Sequence, residues 1–313
     1  MNIEAYNLDT LRELVRDLQA ENTELKQLLE KNHIPFESES VFCSTSMAPD
    51  EYDPDQSSRI ETIPATDEIA NRFFGMFWGW KDVFARRGKN GGYFPQCLNR
   101  WNADICPKQK GQTKHNCSSC QNQKYEQLAL KHIKQHIAGT KENCTDVIGI
   151  YPLFPDNTCR FLVFDFDNHE KGADQCDNAN TDESWRDEVN ALRRICEMNG
   201  IDALTERSRS GRGAHIWIFF SQPIPAHLAR QFGFALLDKG CESINLKSFR
   251  FYDRMYPSQD YSGQTGNLVA LPLQGKALKN GNSAFIDSSW NAYPDQLDVL
   301  WHTKRLRLSG SIR

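Results

Sequence analysis

The spacing of polar and apolar positions changes several times along the chain. From Leu8 to Lys31, Leu11, Val15, Leu18, Leu25 and Leu29 recur at alternating steps of four and three, with Asn22 in the same register. That spacing predicts a helix with a zipper seam, in which Val15, Asn22 and Leu29 fall at a positions and Leu18 and Leu25 at d positions. A β-branched a position, Leu at d and one buried Asn together specify a parallel two-stranded coil of fixed register. Residues 1–34 therefore read as a coiled coil that pairs with a second copy or a partner helix through residues 8–31. From 35 to 66 the pattern gives way to polar and acidic residues with scattered Pro and Ser. This is the composition of a flexible linker.

Periodicity resumes at Glu68, where Phe73, Phe74, Phe77, Trp78 and Trp80 predict a helix reaching towards Phe84. Gln123 to His136 reads as a second helix and Val147 to Tyr151 as a strand. Phe161-Leu162-Val163-Phe164 is aromatic and β-branched, without Gly or Pro, as in a buried strand. A helix follows to Asn199, with Trp185, Val189, Leu192, Ile195 and Cys196 on one face and Gly200 ending it. Asp202 to Thr205 is a short strand, His215 to Phe220 a second apolar strand, and Pro225 to Lys239 a helix. Leu268 to Leu273 reads as a last core strand, ending near Gln274 and Lys276. Strands and helices in this order predict an α+β fold with a mainly antiparallel sheet. One domain then spans 67–281, and 282–313 forms a cap or tail.

Chemistry gathers at two strand ends. Asp165 and Asp167 are separated by one residue, so on a strand they share a face. Neighbouring carboxylates repel unless a cation lies between them. Hard divalent ions such as Mg²⁺ and Mn²⁺ prefer such oxygen ligands. Ser208 to Gly213 is small, basic and glycine-rich, flanked by Arg207 and carrying Arg209 and Arg212, and it runs into His215. Glycines let backbone N–H groups approach a phosphate, and the arginines add charge. Either feature alone is commonplace. An acid pair beside a phosphate-binding loop points to a nucleoside triphosphate and two-metal phosphoryl or nucleotidyl transfer.

A second cluster lies at about 93–121, a polar, Lys-rich stretch with little to bury. Cys117-Ser118-Ser119-Cys120 has the spacing of a zinc knuckle, and Cys97 and Cys106 would supply two further thiolates, with His115 as an alternative ligand. Bound zinc would then supply the folding energy of this segment. Ten cysteines without a secretory leader favour metal binding over a disulfide framework. The charged N-terminus and the lack of a long apolar run predict a cytoplasmic protein with no membrane partner. A net charge of −4 gives no global sign of a polyanion partner, although a local basic surface can sit within it.

The apolar strand ending in Asp165 and Asp167, followed by the His215 strand, resembles the first two motifs of the archaeo-eukaryotic primase superfamily. Ile150-Tyr151-Pro152-Leu153, the run Glu206 to Gly211, His215 to Phe220 and Asn267 to Gln274 resemble the primase domain of TOTE conflict systems. The likeness covers about Phe73 to Gly275. It implies an RRM-like primase core with an inserted zinc-binding module. It implies two catalytic Mg²⁺ or Mn²⁺ ions on Asp165, Asp167 and a third acid. Asp253 matches the third motif, but Asp260 stands in the same pattern and both remain open. Arg207, Arg209, Ser210, Gly213 and His215 would bind the nucleotide, and Cys97, Cys106, Cys117 and Cys120 a structural Zn²⁺. The implied activity is a DNA primase–polymerase, using nucleoside triphosphates on a single-stranded DNA template and primer. The implied setting is a mobile-element or defence-associated replication system. Larger relatives continue into a helicase, which implies a helicase partner. Two rival readings use the same residues: a non-catalytic, zinc-containing dimeric DNA-binding module, and a metal-dependent nuclease.

Overall fold

The computed structural model describes residues 16, 20, 23, 31, 60–112, 114, 115, 117, 119–168, 184–263 and 265–308. The chain divides into two compact units, Met1–Tyr52 and Asp53–Arg313. In the first, Arg16, Ala20, Thr23 and Lys31 are helical and exposed, whereas the zipper seam itself lies outside the described residues. So does the predicted linker as far as residue 59. From there on Ile63 is buried and Ile60 packs beside it, so packing begins before the predicted end of the linker.

Among its described residues the second unit holds nine strands: β1 (Phe84–Arg87), β2 (Tyr93–Pro95), β3 (Ile148–Ile150), β4 (Thr158–Asp167), β5 (Leu204–Arg207), β6 (Gly213–Pro225), β7 (Tyr252–Tyr256), β8 (Val269–Ala270) and β9 (Ala284–Phe285). Six helices accompany them: α1 (Asp67–Met76), α2 (Leu130–Ala138), α3 (Ser184–Met198), α4 (Ala226–Ser243), α5 (Gly275–Leu278) and α6 (Gln296–His302). The strands form two antiparallel sheets, ordered β2-β1-β3-β8 and β7-β4-β6-β5-β9. Among the described residues, no helix is long and apolar enough to cross a membrane.

Strand alternation separates two cores. Leu162, Phe164 and Phe166 of β4, with Ala214, Ile216 and Ile218 of β6, face α3 and α4 through Trp185, Val189, Leu192, Leu236 and Leu237. Phe161 and Val163, with Trp217 and Phe219, face the other way and meet Phe84, Ile148, Ile150 and Val269 of the smaller sheet. Both faces of β4 are thus covered, which is why its sequence is a continuous apolar run rather than an alternating one.

Several boundaries differ from the sequence expectation. The Thr66 hydroxyl caps α1 by accepting the Ile69 N–H, and Asp67 and Glu68 complement the positive end of the helix. That helix stops at Met76, because Phe77 turns into the inter-sheet core against the edges of Trp217 and Phe219. The second predicted helix loses its first turns to extended chain, where Tyr125 bridges Cys97. The last core strand is two residues long. Gln274 lies fully buried, capping α5 through Ala277 N–H and donating to Asp146. Residues 282–308 pack against the rest of the unit. β9 pairs with β5 as the edge of the larger sheet, and α6 buries Leu300 in the inter-sheet core.

Candidate functional site

The site lies where β4 leaves the inter-sheet core. The face that carries Phe161 and Val163 continues with half-buried Asp165 and Asp167. β6 sets His215 opposite Asp165 and Gly213 opposite Asp167, and β7 sets Arg254 opposite Asp165. Directly paired residues share a face, so Asp165 is flanked by a histidine and an arginine. His215 Nε2 lies 3.4 Å from Asp165 Oδ1. The Tyr256 hydroxyl donates to Asp165 Oδ2 at 3.4 Å.

Behind the histidine stands Glu206, only 1% exposed. One of its oxygens accepts from His215 Nδ1 at 2.9 Å and from Trp217 Nε1 at 3.0 Å, and the other from Ser283 Oγ at 3.3 Å. A buried carboxylate is costly unless it is paired and hydrogen-bonded, and this one is both. Burial opposes a charged imidazole, but Glu206 and Asp165 outweigh it and hold His215 well above the ordinary histidine pKa. Burial likewise opposes the Asp165 anion. His215, helped by hydrogen bonds from His215 and Tyr256 and by the Arg254 charge, nevertheless holds it below the usual carboxylate value. The histidine is therefore an imidazolium between two carboxylates.

A bulge separates the Asp165–Arg254 and Phe166–Tyr252 pairs, so Asp253 and Arg254 of β7 together oppose the one residue Asp165. Asp253 accepts from Arg254 Nε at 2.7 Å. Asp260, the other candidate third acid, lies beyond the strand and is held at 2.7 Å by Arg230 Nε. Asp253 is thus the candidate that adjoins Asp165. Among the described residues, no three His, Cys, Asp or Glu side chains converge closely enough to hold a metal ion.

The predicted phosphate loop is the turn between β5 and β6, and much of its polarity is used internally. Ser208 N–H donates to Gly213 C=O, Gly211 N–H to Ser208 C=O, and Arg212 N–H to the Ser210 hydroxyl. Gly211 has a φ of 77°, which the turn requires. Gly213 is demanded by packing, since a Cβ there would run into the Phe166 carbonyl oxygen. Ser210 is exposed at the tip. Half-buried Arg209 lies beside Tyr93 of β2, with Arg87 nearby.

Arg207 departs from the expectation. It pairs with Ala214, one residue out of phase with the Glu206–His215 pair, so it faces the helix-covered side of the sheet. There its guanidinium donates to the carbonyls of Gly281 and Trp290 and ties β5 to the chain beyond α5. It is a structural arginine, not a neighbour of His215.

The four predicted zinc ligands, Cys97, Cys106, Cys117 and Cys120, line one cavity of about 450 Å³ together with His115. Lys124 N–H points at Cys97 Sγ at 3.5 Å, and Cys120 N–H bonds Cys117 C=O at 3.3 Å. His115 Nε2 is buried there without a partner. The donor set suits zinc, although the side chains are not drawn together around a centre.

Of the residues singled out from sequence, Asp165, Asp167 and His215 lie together on paired strands, whereas the contacts of Glu206 and Tyr256 with them were not foreseen. The short strand Leu204-Thr205-Glu206-Arg207 carries no apolar pattern that would have signalled the burial of Glu206.

A family model described as the archaeo-eukaryotic primase domain of TOTE conflict systems matches residues 68–310. No curated protein matches the chain. Among solved structures, the polymerase domain of Mycobacterium tuberculosis ligase D in complex with DNA is similar over 70% of this chain and 84% of that one. At 13% identity and a TM-score of 0.39, that likeness carries no further argument.

Proposed function

Since the chain belongs to the archaeo-eukaryotic primase domain family of TOTE conflict systems, we propose that it is a template-dependent nucleotidyltransferase. It adds nucleotides to a nucleic-acid strand, as a primase–polymerase, with the help of two divalent ions. The observation that carries this reading is the pairing of Asp165 with His215 across β4 and β6, with Asp167 on the same face. A pure binding module has no use for such a pair.

Asp165, Asp167 and Asp253 are the oxygen donors that would hold Mg²⁺ or Mn²⁺, in keeping with the preference of hard cations. Ions bound there would lower the pKa of the attacking 3′-hydroxyl and offset the charge of the transition state. His215, held charged and oriented through Nδ1 by Glu206, presents Nε2–H to the space beside Asp165. That N–H is a charge-assisted donor for a triphosphate oxygen. Arg209, beside Tyr93, and Ser210 at the turn tip extend the donors along the phosphates. Gly213 contributes by letting the turn lie close against β4 beside Asp167.

Cys97, Cys106, Cys117 and Cys120 would hold structural zinc, which the shared cavity and the Cys97-directed N–H support. In the same account residues 1–34 associate as a coil, 35–66 tether it, and the protein serves a mobile-element or defence-associated system beside a helicase.

Nucleotide binding tests the reading. Titration of a nucleoside triphosphate with Mn²⁺ should show metal-dependent binding, about tenfold weaker in His215→Ala, the loss of one charge-assisted hydrogen bond. In Asp165→Ala the metal dependence should disappear. Equal binding by all three proteins would remove the site. A labelled primer should lengthen; metal-dependent shortening would favour the nuclease.

A further inference from the structure

The segment that bears the four cysteines also bears the most exposed large aromatic side chain among the described residues. Trp101 is 77% exposed and Phe94 46%. The Arg100 guanidinium lies between them, 5.1 Å from the Trp101 ring centre and 5.8 Å from that of Phe94. The Phe94 ring is held by the turn after β1, where a Cβ on Gly88 would come within 2.6 Å of Phe94 Cε2. Phe94, Arg100, Trp101 and Lys108 share the rim of the cysteine cavity. Between residues 93 and 124 the sequence holds five Lys or Arg and one acid, in a chain whose net charge is −4.

We propose that Phe94, Arg100 and Trp101 form a stacking platform for the bases of a single-stranded nucleic acid. Aromatic faces beside cations are what a single strand requires, since each base has a π-face and each nucleotide a phosphate. Protein interfaces share the aromatics and Arg but are depleted in Lys, so Lys108, Lys110, Lys114 and Lys124 favour nucleic acid as the occupant. Tyr93, the neighbour of Phe94 on β2, faces the other side of that strand, towards Arg209. The inference rests on the reading that this chain copies a template, and it names the residues that grip the strand.

The test uses the full chain, as purified, and fluorescein-labelled oligo(dT) followed by anisotropy. Trp101→Ala should bind about tenfold more weakly and Trp101→Phe within about threefold of the parent. Arg100→Gln should lower the slope of log affinity against log salt by about 0.7. Thermal melts of the variants should match the parent, which separates lost binding from lost folding. Parent-like affinity and salt slope in all three variants would overturn the platform, even if Asp165→Ala still abolishes nucleotide incorporation. Weakened binding by Trp101→Ala in a protein that incorporates no nucleotide would keep the platform and remove the polymerase reading. If Trp101→Ala splits an oligomer but leaves oligonucleotide affinity unchanged, the surface is a protein interface and the platform is wrong.

Discussion

Glu206 accepts hydrogen bonds from an imidazole, an indole and a hydroxyl while almost wholly out of solvent, so its removal orphans three donors at once. Glu206→Ala should cost about 3 kcal/mol in urea unfolding, the scale for breaking a buried charged pair. A loss well under 1 kcal/mol would mean the network is not formed in solution. His136 offers a separate test through pH. Its Nδ1 accepts the Ile148 N–H at 3.2 Å and its Nε2–H donates to Pro272 C=O at 2.8 Å, so the ring is neutral. Burial lowers its pKa from 6.5 to about 4. The unfolded chain gains a proton below 6.5 that the folded chain refuses. His136 therefore contributes stability that is full above pH 6.5 and is lost as the pH falls towards 4, by about 3 kcal/mol in all. Denaturation between pH 7.5 and 4.5 should show this slope, and His136→Gln should flatten it while lowering stability at neutral pH. An identical slope in the variant would assign the acid sensitivity elsewhere. The candidates Asp165, Asp167 and His215 were legible in the sequence because each adjoins an apolar run, and the period of two fixes which face it shares. Arg207 misled because one step along a strand changes the face, and its charge looks the same on either. The partners of Glu206 come from strand pairing, which composition does not reveal.

The strands β4 and β6 carry the site because, beyond the irregularity at Cys159–Phe161, the seven pairs from Phe161 to Asp167 keep register to the last residue of β4. Gly213 closes that ladder where β6 lies against the Phe166 carbonyl. Gly213→Ala must push β6 away from Asp167. It should cost about 2 kcal/mol, typical of overpacking, and suppress nucleotide binding more than its stability loss explains. Parent-like binding would show that Asp167 tolerates a shifted β6. Long elements with strong patterns, namely β4, β6, α3 and α4, were readable from sequence alone. The ends of α1 and α2 and the short strands β8 and β9 were not, because they depend on residues far along the chain. Phe77 leaves α1 for the aromatic core, and β9 exists only because Glu206 and Arg207 pair with it.

In the second unit, one core lies between the sheets and the other beneath α3 and α4, with the acid pair where the first core opens. The cysteine segment adds little to either core, as its composition foretold. It should therefore depend on metal: the purified chain should hold about one zinc, lost in Cys117→Ser together with several degrees of thermal stability. A zinc-free parent with the same melting point would discard that role. Whether the fold works as a polymerase is answered most directly by incorporation of labelled nucleotide on a single-stranded DNA template, with and without primer, in Mg²⁺ or Mn²⁺. The account predicts strand synthesis by the parent and none by folded Asp165→Ala. Synthesis that survives Asp165→Ala, or none by a zinc-loaded parent that binds the template, would contradict it.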